Sequence, residues 1–154
     1  MDLYEEKLKS FIKGNFIHAE HFSFNQSCHS VEEAAKAANA DADEFVKNIC
    51  MINQKGDLVV AIVKGEDRVS ILRVGAILGV DKPRMATPEE ILQKTGYPCG
   101  GTPSFGYDAI FLIDERVMEK EMVYAGGGSE SSLIRISTME LQKTNHGRIV
   151  KIRK

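Results

Sequence analysis

Two glycine-rich stretches and one lysine in an apolar setting are where this sequence has the means to do chemistry. Residues 96–106 read Gly-Tyr-Pro-Cys-Gly-Gly-Thr-Pro-Ser-Phe-Gly, with four of the chain's 13 glycines and two of its 4 prolines. No helix or central strand survives that density of backbone breakers. Glycine lets a backbone approach a ligand closely, and proline stiffens the path at Pro98 and Pro103. An open but stiff loop suits the presentation of backbone N–H groups to an oxygen-rich ligand. Gly126-Gly-Gly-Ser129 is a second such loop, placed at the end of a strand. Two loops of this kind at strand ends favour a shared pocket over two unrelated tight turns.

Lys47 sits in Phe45-Val-Lys-Asn-Ile-Cys-Met51. Strand alternation puts it on one face with Phe45, Ile49 and Met51. A lysine there commonly snorkels or guards an edge. In a cleft the same ammonium would polarise a carbonyl or hold a phosphate.

Other reactive types carry less. Cys99 lies in the first loop, but the one histidine outside the first 30 residues is His146, and a lone thiol without a base is a weak nucleophile. His18, His21, Cys28 and His29 follow no zinc spacing. His18-Ala-Glu20 with Pro98-Cys99 imitates half of a zinc deaminase signature, but position 102 is threonine where the second cysteine belongs. No Gly-Lys-Ser/Thr occurs, so there is no phosphate-binding P-loop.

Several elements must position these groups. Tyr4, Leu8, Phe11 and Ile12 recur at helical spacing and predict a helix over 2–13, ended by Gly14-Asn15. Residues 16–24 read as a strand with Phe16, Phe22 and Phe24 on one face. Capping boxes at Ser30–Glu33, Thr87–Glu90 and Ser137–Glu140 open helices, the first over 31–39 and the second over 88–95. A further helix spans 70–78 before Gly79. Strands are expected at 45–53, 58–63, 107–113, 122–125, 133–136 and 148–152, with a hairpin at Gln54–Asp57. Hairpins mixed with intervening helices predict one α/β domain over 1–154, built on a mixed sheet.

Bulk properties narrow the classes. The chain has 154 residues, 43% hydrophobic and 27% charged, with a net charge of −2. That is a globular composition, without the basic excess usual in a protein that binds duplex DNA. No apolar run approaches the roughly 20 residues of a membrane span, and the acidic, amphipathic N-terminus does not read as a signal peptide. Three unpatterned cysteines point to a reducing, cytoplasmic setting.

The pieces also occur in a recognisable order: Ser30-Val-Glu-Glu-Ala-Ala-Lys, Phe45-Val-Lys-Asn-Ile, Val59-Val-Ala-Ile-Val, Thr95-Gly-Tyr-Pro-Cys-Gly-Gly-Thr-Pro, Phe111-Leu-Ile-Asp-Glu, Val123-Tyr-Ala-Gly-Gly-Gly-Ser and Ile136-Ser-Thr-Met-Glu-Leu. Together they resemble the YbaK/ProX family of aminoacyl-tRNA deacylases, which includes the editing domain inserted in bacterial prolyl-tRNA synthetases. The resemblance implies a mixed sheet, curled and partly barrel-like, surrounded by short helices. It implies hydrolysis of a mischarged aminoacyl ester at a tRNA 3′ end, with tRNA-Pro carrying a small residue such as Cys or Ala as the substrate. Lys47, Gly100 and Gly101 take the catalytic positions. Thr102, Pro103, Gly126, Gly127, Gly128 and Ser129 take the substrate-binding ones. The expected partners are the aminoacyl-tRNA 3′ end and a prolyl-tRNA synthetase, with no DNA duplex, membrane, cofactor or metal. Two positions depart from the family pattern: Ser104 stands where a second proline is frequent, and Ser70 where an aspartate often opens the middle helix. The alternative reading is a binding module for a tRNA end or nucleotide that acts beside a synthetase without turnover.

Overall fold

The computed structural model describes residues 2–154. Asp2 caps the first helix, α1 (Leu3–Gly14), by accepting hydrogen bonds from the N–H groups of Tyr4 and Glu5. The helix ends in a backbone turn in which the Ile17 N–H reaches the Ile12 carbonyl and Phe16 takes φ 55°. That turn consumes the residues expected to start a strand. Phe16 is 88% exposed, and β1 covers only Ala19–Ser23. Ser30 caps α2 (Val31–Ala38) by accepting from the Glu33 N–H, while the Glu33 carboxylate accepts from Ser30 Oγ and does not complete the expected box. A left-handed Asn39 closes the helix.

Next come β2 (Val46–Ile52) and β3 (Leu58–Lys64), paired antiparallel through the expected hairpin. Ser70 caps α3 (Ile71–Leu78) through the Arg73 N–H, so the departure from aspartate keeps the capping function. A two-residue strand β4 (Arg84–Met85), not legible in the sequence, leads to α4 (Pro88–Thr95). There the Thr87–Glu90 box is reciprocal, and Arg84 grips Glu90 with two bonds of 2.8 and 2.7 Å.

The chain finishes with β5 (Ile110–Asp114), β6 (Met122–Gly126), β7 (Ser132–Ser137), α5 (Thr138–Asn145) and β8 (Arg148–Val150). Two expected strands are shorter than read. Residues 107–109 belong to the preceding loop. Ile152 leaves the sheet because its N–H is taken by the Asp114 carboxylate.

The fold is mixed α/β, as expected, but its strands do not curl into one sheet. β4-β2-β3-β5-β8 form a five-stranded mixed sheet, and β1-β7-β6 a separate antiparallel one. Neither is closed. A parallel bridge between Phe45 and Tyr124 joins them. Their rings stack at 4.9 Å, so Phe45 turns toward the second sheet instead of joining Ile49 and Met51. The main core lies between the sheets, with Leu8 of α1, Val60, Ile62, Ile134 and Leu141 of α5 buried in it. A second cluster packs the other face of the large sheet under α3. β3 is buried along its whole length because both of its faces are covered. No helix among the described residues is long and apolar enough to cross a membrane.

Candidate active site

Where the two sheets diverge from the Phe45–Tyr124 bridge, they leave a cavity of about 780 Å³. Its walls come from β2, the start of α2, the 96–106 loop and the end of β6. Lys47, Gly100, Thr102 and Gly126 line it, as do Asn48, Cys50, Ile91 and Cys99. The structure therefore brings the lysine and both glycine loops to one place. A depression of similar size, about 790 Å³, lies between Gly106–Leu112 and Asn145–Arg148 and holds none of the predicted residues.

Lys47 is half-buried and makes no ion pair or hydrogen bond among the described residues. Burial pushes its ammonium below the ordinary lysine range. Nearby Arg68 adds to this, and Asp67 opposes it. The result is a cation without a committed partner at the cavity wall, which favours engagement of an incoming anion or carbonyl.

The 96–106 loop is organised by hydrogen bonds to its carbonyls, some made within the loop and some to neighbouring elements. Pro98 O accepts from the Gly101 N–H at 3.0 Å and from Thr102 Oγ1 at 3.0 Å. Gly101 O accepts from the Gly128 N–H at 2.8 Å. Thr102 O accepts from Asn48 Nδ2 at 2.9 Å, Pro103 O from Tyr107 Oη at 2.6 Å, and Ser104 O from Asn145 Nδ2 at 3.0 Å. Burial, with Cys50 and Tyr97 near it, raises the Tyr107 phenol well above its usual range, so that donor stays protonated. With these acceptors committed, the Gly100 and Thr102 N–H groups are left without a partner among the described residues, and both residues line the cavity. The Gly101 N–H, expected to help hold a carbonyl, is already spent on Pro98.

The glycines have a reason the sequence did not reveal. The two loops pack backbone on backbone. A Cβ on Gly126 would lie 2.2 Å from Thr102 O, and one on Gly101 would lie 2.5 Å from the Ser129 carbonyl carbon. Gly100 takes φ 89° against the His29 ring. Gly101, Pro103, Gly127, Gly128 and Ser129 are buried behind the cavity wall. The Ser129 hydroxyl bonds Glu5 Oε2 at 2.8 Å, and Ser23 donates to the other carboxylate oxygen, so this loop is anchored to α1. His21 Nε2 lies 2.8 Å from Gly127 O and ties the same loop to β1. Glu5, His21 and Asn48 are supports that sequence reasoning missed. Each reads as an ordinary polar position in its own element.

Cys50 is buried at the cavity floor. Its thiol is pushed up to about 12 by burial and by Cys99 near it, so it stays neutral and serves as apolar wall. The Nδ1 of His29 is 3.5 Å from Glu130. Among the described residues no three His, Cys, Asp or Glu side chains converge in a metal-holding group.

Comparison with known proteins agrees with this geometry. The aminoacyl-tRNA editing domain family matches residues 25–144, and the chain belongs to that family, of the YbaK type. The uncharacterized protein YwhH of Bacillus subtilis is 23% identical over 128 residues, covering 82% of this chain and 81% of that one. The proline–tRNA ligase of Trichlorobacter lovleyi is 32% identical over 103 residues, which are 66% of this chain but 18% of the ligase. Among solved structures, a protein described as a candidate trans-editing enzyme for prolyl tRNA synthetase superposes with a TM-score of 0.91 at 24% identity, covering 100% of this chain and 99% of that one. The hypothetical protein APE2540 superposes with a TM-score of 0.88 at 24% identity, over 96% and 99% of the two chains. These superpositions establish the shared fold.

Proposed function

We propose that this protein is a trans-editing hydrolase that deacylates mischarged aminoacyl-tRNA, with tRNA-Pro bearing a small residue such as Cys or Ala as its substrate. The observation that carries this reading is the convergence of an unpaired cation, Lys47, with a loop whose Pro98, Gly101 and Thr102 carbonyls are held by hydrogen bonds and whose Gly100 and Thr102 N–H groups have no partner among the described residues. An aminoacyl ester is already reactive, so positioning and oxyanion stabilisation are the main contributions a site must make.

In the proposed reaction a water, or a nucleophilic side chain of the substrate's own amino acid, adds to the ester carbonyl carbon. The carbonyl oxygen becomes an oxyanion held by the Gly100 and Thr102 N–H groups. Lys47 holds the terminal phosphate or the carbonyl. The bond from carbon to the ribose oxygen then breaks, and the nucleophile's proton ends on that ribose hydroxyl. With water, the products are uncharged tRNA and the free amino acid. Cys50, Ile91 and Ala125 form an apolar wall, which supports an uncharged side chain over a charged one. One methylene discriminates by only about 1–3 kcal/mol, so neighbouring small residues are also hydrolysed. The family match and the similarity to proline–tRNA ligases support tRNA-Pro and a prolyl-tRNA synthetase as partners.

The test is single-turnover deacylation of labelled tRNA-Pro charged with Ala, Cys, Pro or Phe. Ala or Cys is expected to be released fastest. Lys47→Ala is expected to lower that rate by about 10²–10³-fold, the cost of losing one preorganised electrostatic contact, with an unchanged thermal melt. A wild-type protein that binds these tRNAs but releases nothing would replace the enzyme with a non-catalytic tRNA-end module.

A further inference from the structure

Asn48 directly follows Lys47, so strand alternation sends the two side chains to opposite faces of β2. Lys47 reaches the cavity wall, and Asn48 reaches the glycine-proline loop more than 50 residues further along the chain. Its Nδ2 donates to Thr102 O at 2.9 Å, and its Oδ1 accepts from Ser104 Oγ at 2.8 Å. The orientation of the amide is forced. Thr102 O can only accept, so the nitrogen must face it, and the oxygen is left for the Ser104 hydroxyl. Ser104 is completely buried, so this hydroxyl has no water to bond in exchange.

We infer that the Asn48–Ser104 pair is a clamp that sets the orientation of the Thr102–Pro103 peptide, and with it the direction in which the Gly100 and Thr102 N–H groups point. The inference rests on the deacylase reading for its effect on rate, but not for its effect on the loop. Ser104 supplies the hydroxyl that completes the clamp. Asn48 and Ser104 are positioning residues, acting through the loop and not on the substrate. Without the Nδ2 donor, Thr102 O is freed to swing toward the cavity. The peptide would then present an acceptor near the place where negative charge develops, which opposes the reaction.

Three variants of the full chain separate the parts. Asn48→Ala removes both bonds. Asn48→Asp keeps an acceptor for Ser104 and loses the donor to Thr102. Ser104→Ala removes the hydroxyl alone. Single-turnover deacylation on the substrate that wild type cleaves best is expected to show a maximal rate lower by about 10²-fold for both Asn48 variants. A misplacement of about 1 Å costs that much. The protein concentration at half-maximal rate should stay within threefold of wild type, because the Lys47 contact is intact. Ser104→Ala should fall in between. The second readout needs no activity. Amide exchange measured residue by residue should be faster by tenfold or more at Gly101 and Gly128, the loop's own hydrogen-bonded N–H groups, with exchange across β3 unchanged. Wild-type exchange at Gly101 and Gly128 in Asn48→Ala overturns the clamp, whatever the activity. Loosened exchange with a wild-type maximal rate shows that the loop's orientation does not govern turnover and overturns the positioning role. If wild type itself releases no amino acid, the deacylase reading fails, and the exchange measurement still decides the clamp. If Asn48→Ala does not fold, Ser104→Ala must show the faster exchange at Gly101, or the proposal falls.

Discussion

At the scale of single residues, the site turns on the protonation of Lys47. Burial, aided by Arg68, lowers its pKa from the ordinary lysine value, and Asp67 only partly restores it. The proposed role needs the ammonium form, which is complete at low pH and lost as pH rises through the lowered pKa. The enzymatic rate, after subtraction of the uncatalysed ester hydrolysis that alkali speeds, is therefore expected to fall at a pH below the ~10.4 of a free lysine. Lys47→Ala should abolish this alkaline limb. A limb of the same midpoint in Lys47→Ala would assign the titration to another group. Asp67→Asn removes the charge that favours the ammonium and should move the midpoint down.

The pair of glycine loops decides the next scale, because each loop is the other's wall. A methyl group on Gly126 would meet Thr102 O at 2.2 Å, and that carbonyl is fixed by Asn48. Gly126→Ala should thus cost at least about 1–3 kcal/mol of stability, the usual range for overpacking, and should displace the loop that carries the N–H donors. Gly14→Ala is the control. A Cβ there meets nothing within 4 Å and φ is not positive, so it should be neutral or stabilise by up to about 1 kcal/mol. Denaturant unfolding of both variants checks this, and equal midpoints would mean that the loops separate freely. The same loops show what a sequence can display. The density of Gly and Pro announced a special segment, and the lone charge in Phe45-Val-Lys-Asn-Ile announced Lys47, because local composition was enough for both. Helix starts at Ser30, Thr87 and Ser137 were legible because capping is local chemistry. Glu140 shows the limit. Its backbone N–H bonds Ser137 as expected, but its carboxylate leaves the box to accept from the His18 N–H at 2.8 Å. Asn48 looked like filler because its partners are 54 and 56 residues away. How the two sheets meet was hidden for the same reason, since they are joined where Phe45 finds Tyr124.

For the molecule as a whole, the remaining question is what holds the wall behind Lys47, and the answer is the C-terminal segment. Ser70 N–H bonds Ile152 O at 2.6 Å, Lys154 N–H bonds Arg68 O at 2.8 Å, and Val69 pairs with Arg153. The segment thereby fixes residues 68–70, next to Asp67 and Arg68, whose charges act on Lys47. The segment itself is held by Asp114 at the end of β5. Its fully buried carboxylate accepts from the N–H groups of Ile152, Arg153 and Arg116 and from the Arg153 guanidinium, all at 2.9–3.0 Å. Burial alone would raise the pKa of Asp114, but these hydrogen bonds outweigh it and hold the carboxyl below its usual value. The folded-state pKa is thus depressed, so the unfolded chain binds the proton more readily. The stability contributed is fully present above the unfolded value of ~3.9 and is lost as pH falls through the folded one. Asp114→Asn removes the charge and places an NH₂ among four donors. A cost of about 3–5 kcal/mol at pH 7 is expected, as for a buried charge pair broken on one side. Unfolding in denaturant at pH 7 and at pH 3 provides the check. Wild type should lose stability between the two more steeply than Asp114→Asn. A variant as stable as wild type at pH 7, or equally steep in acid, would show that the strap behind Lys47 is held by some other contact.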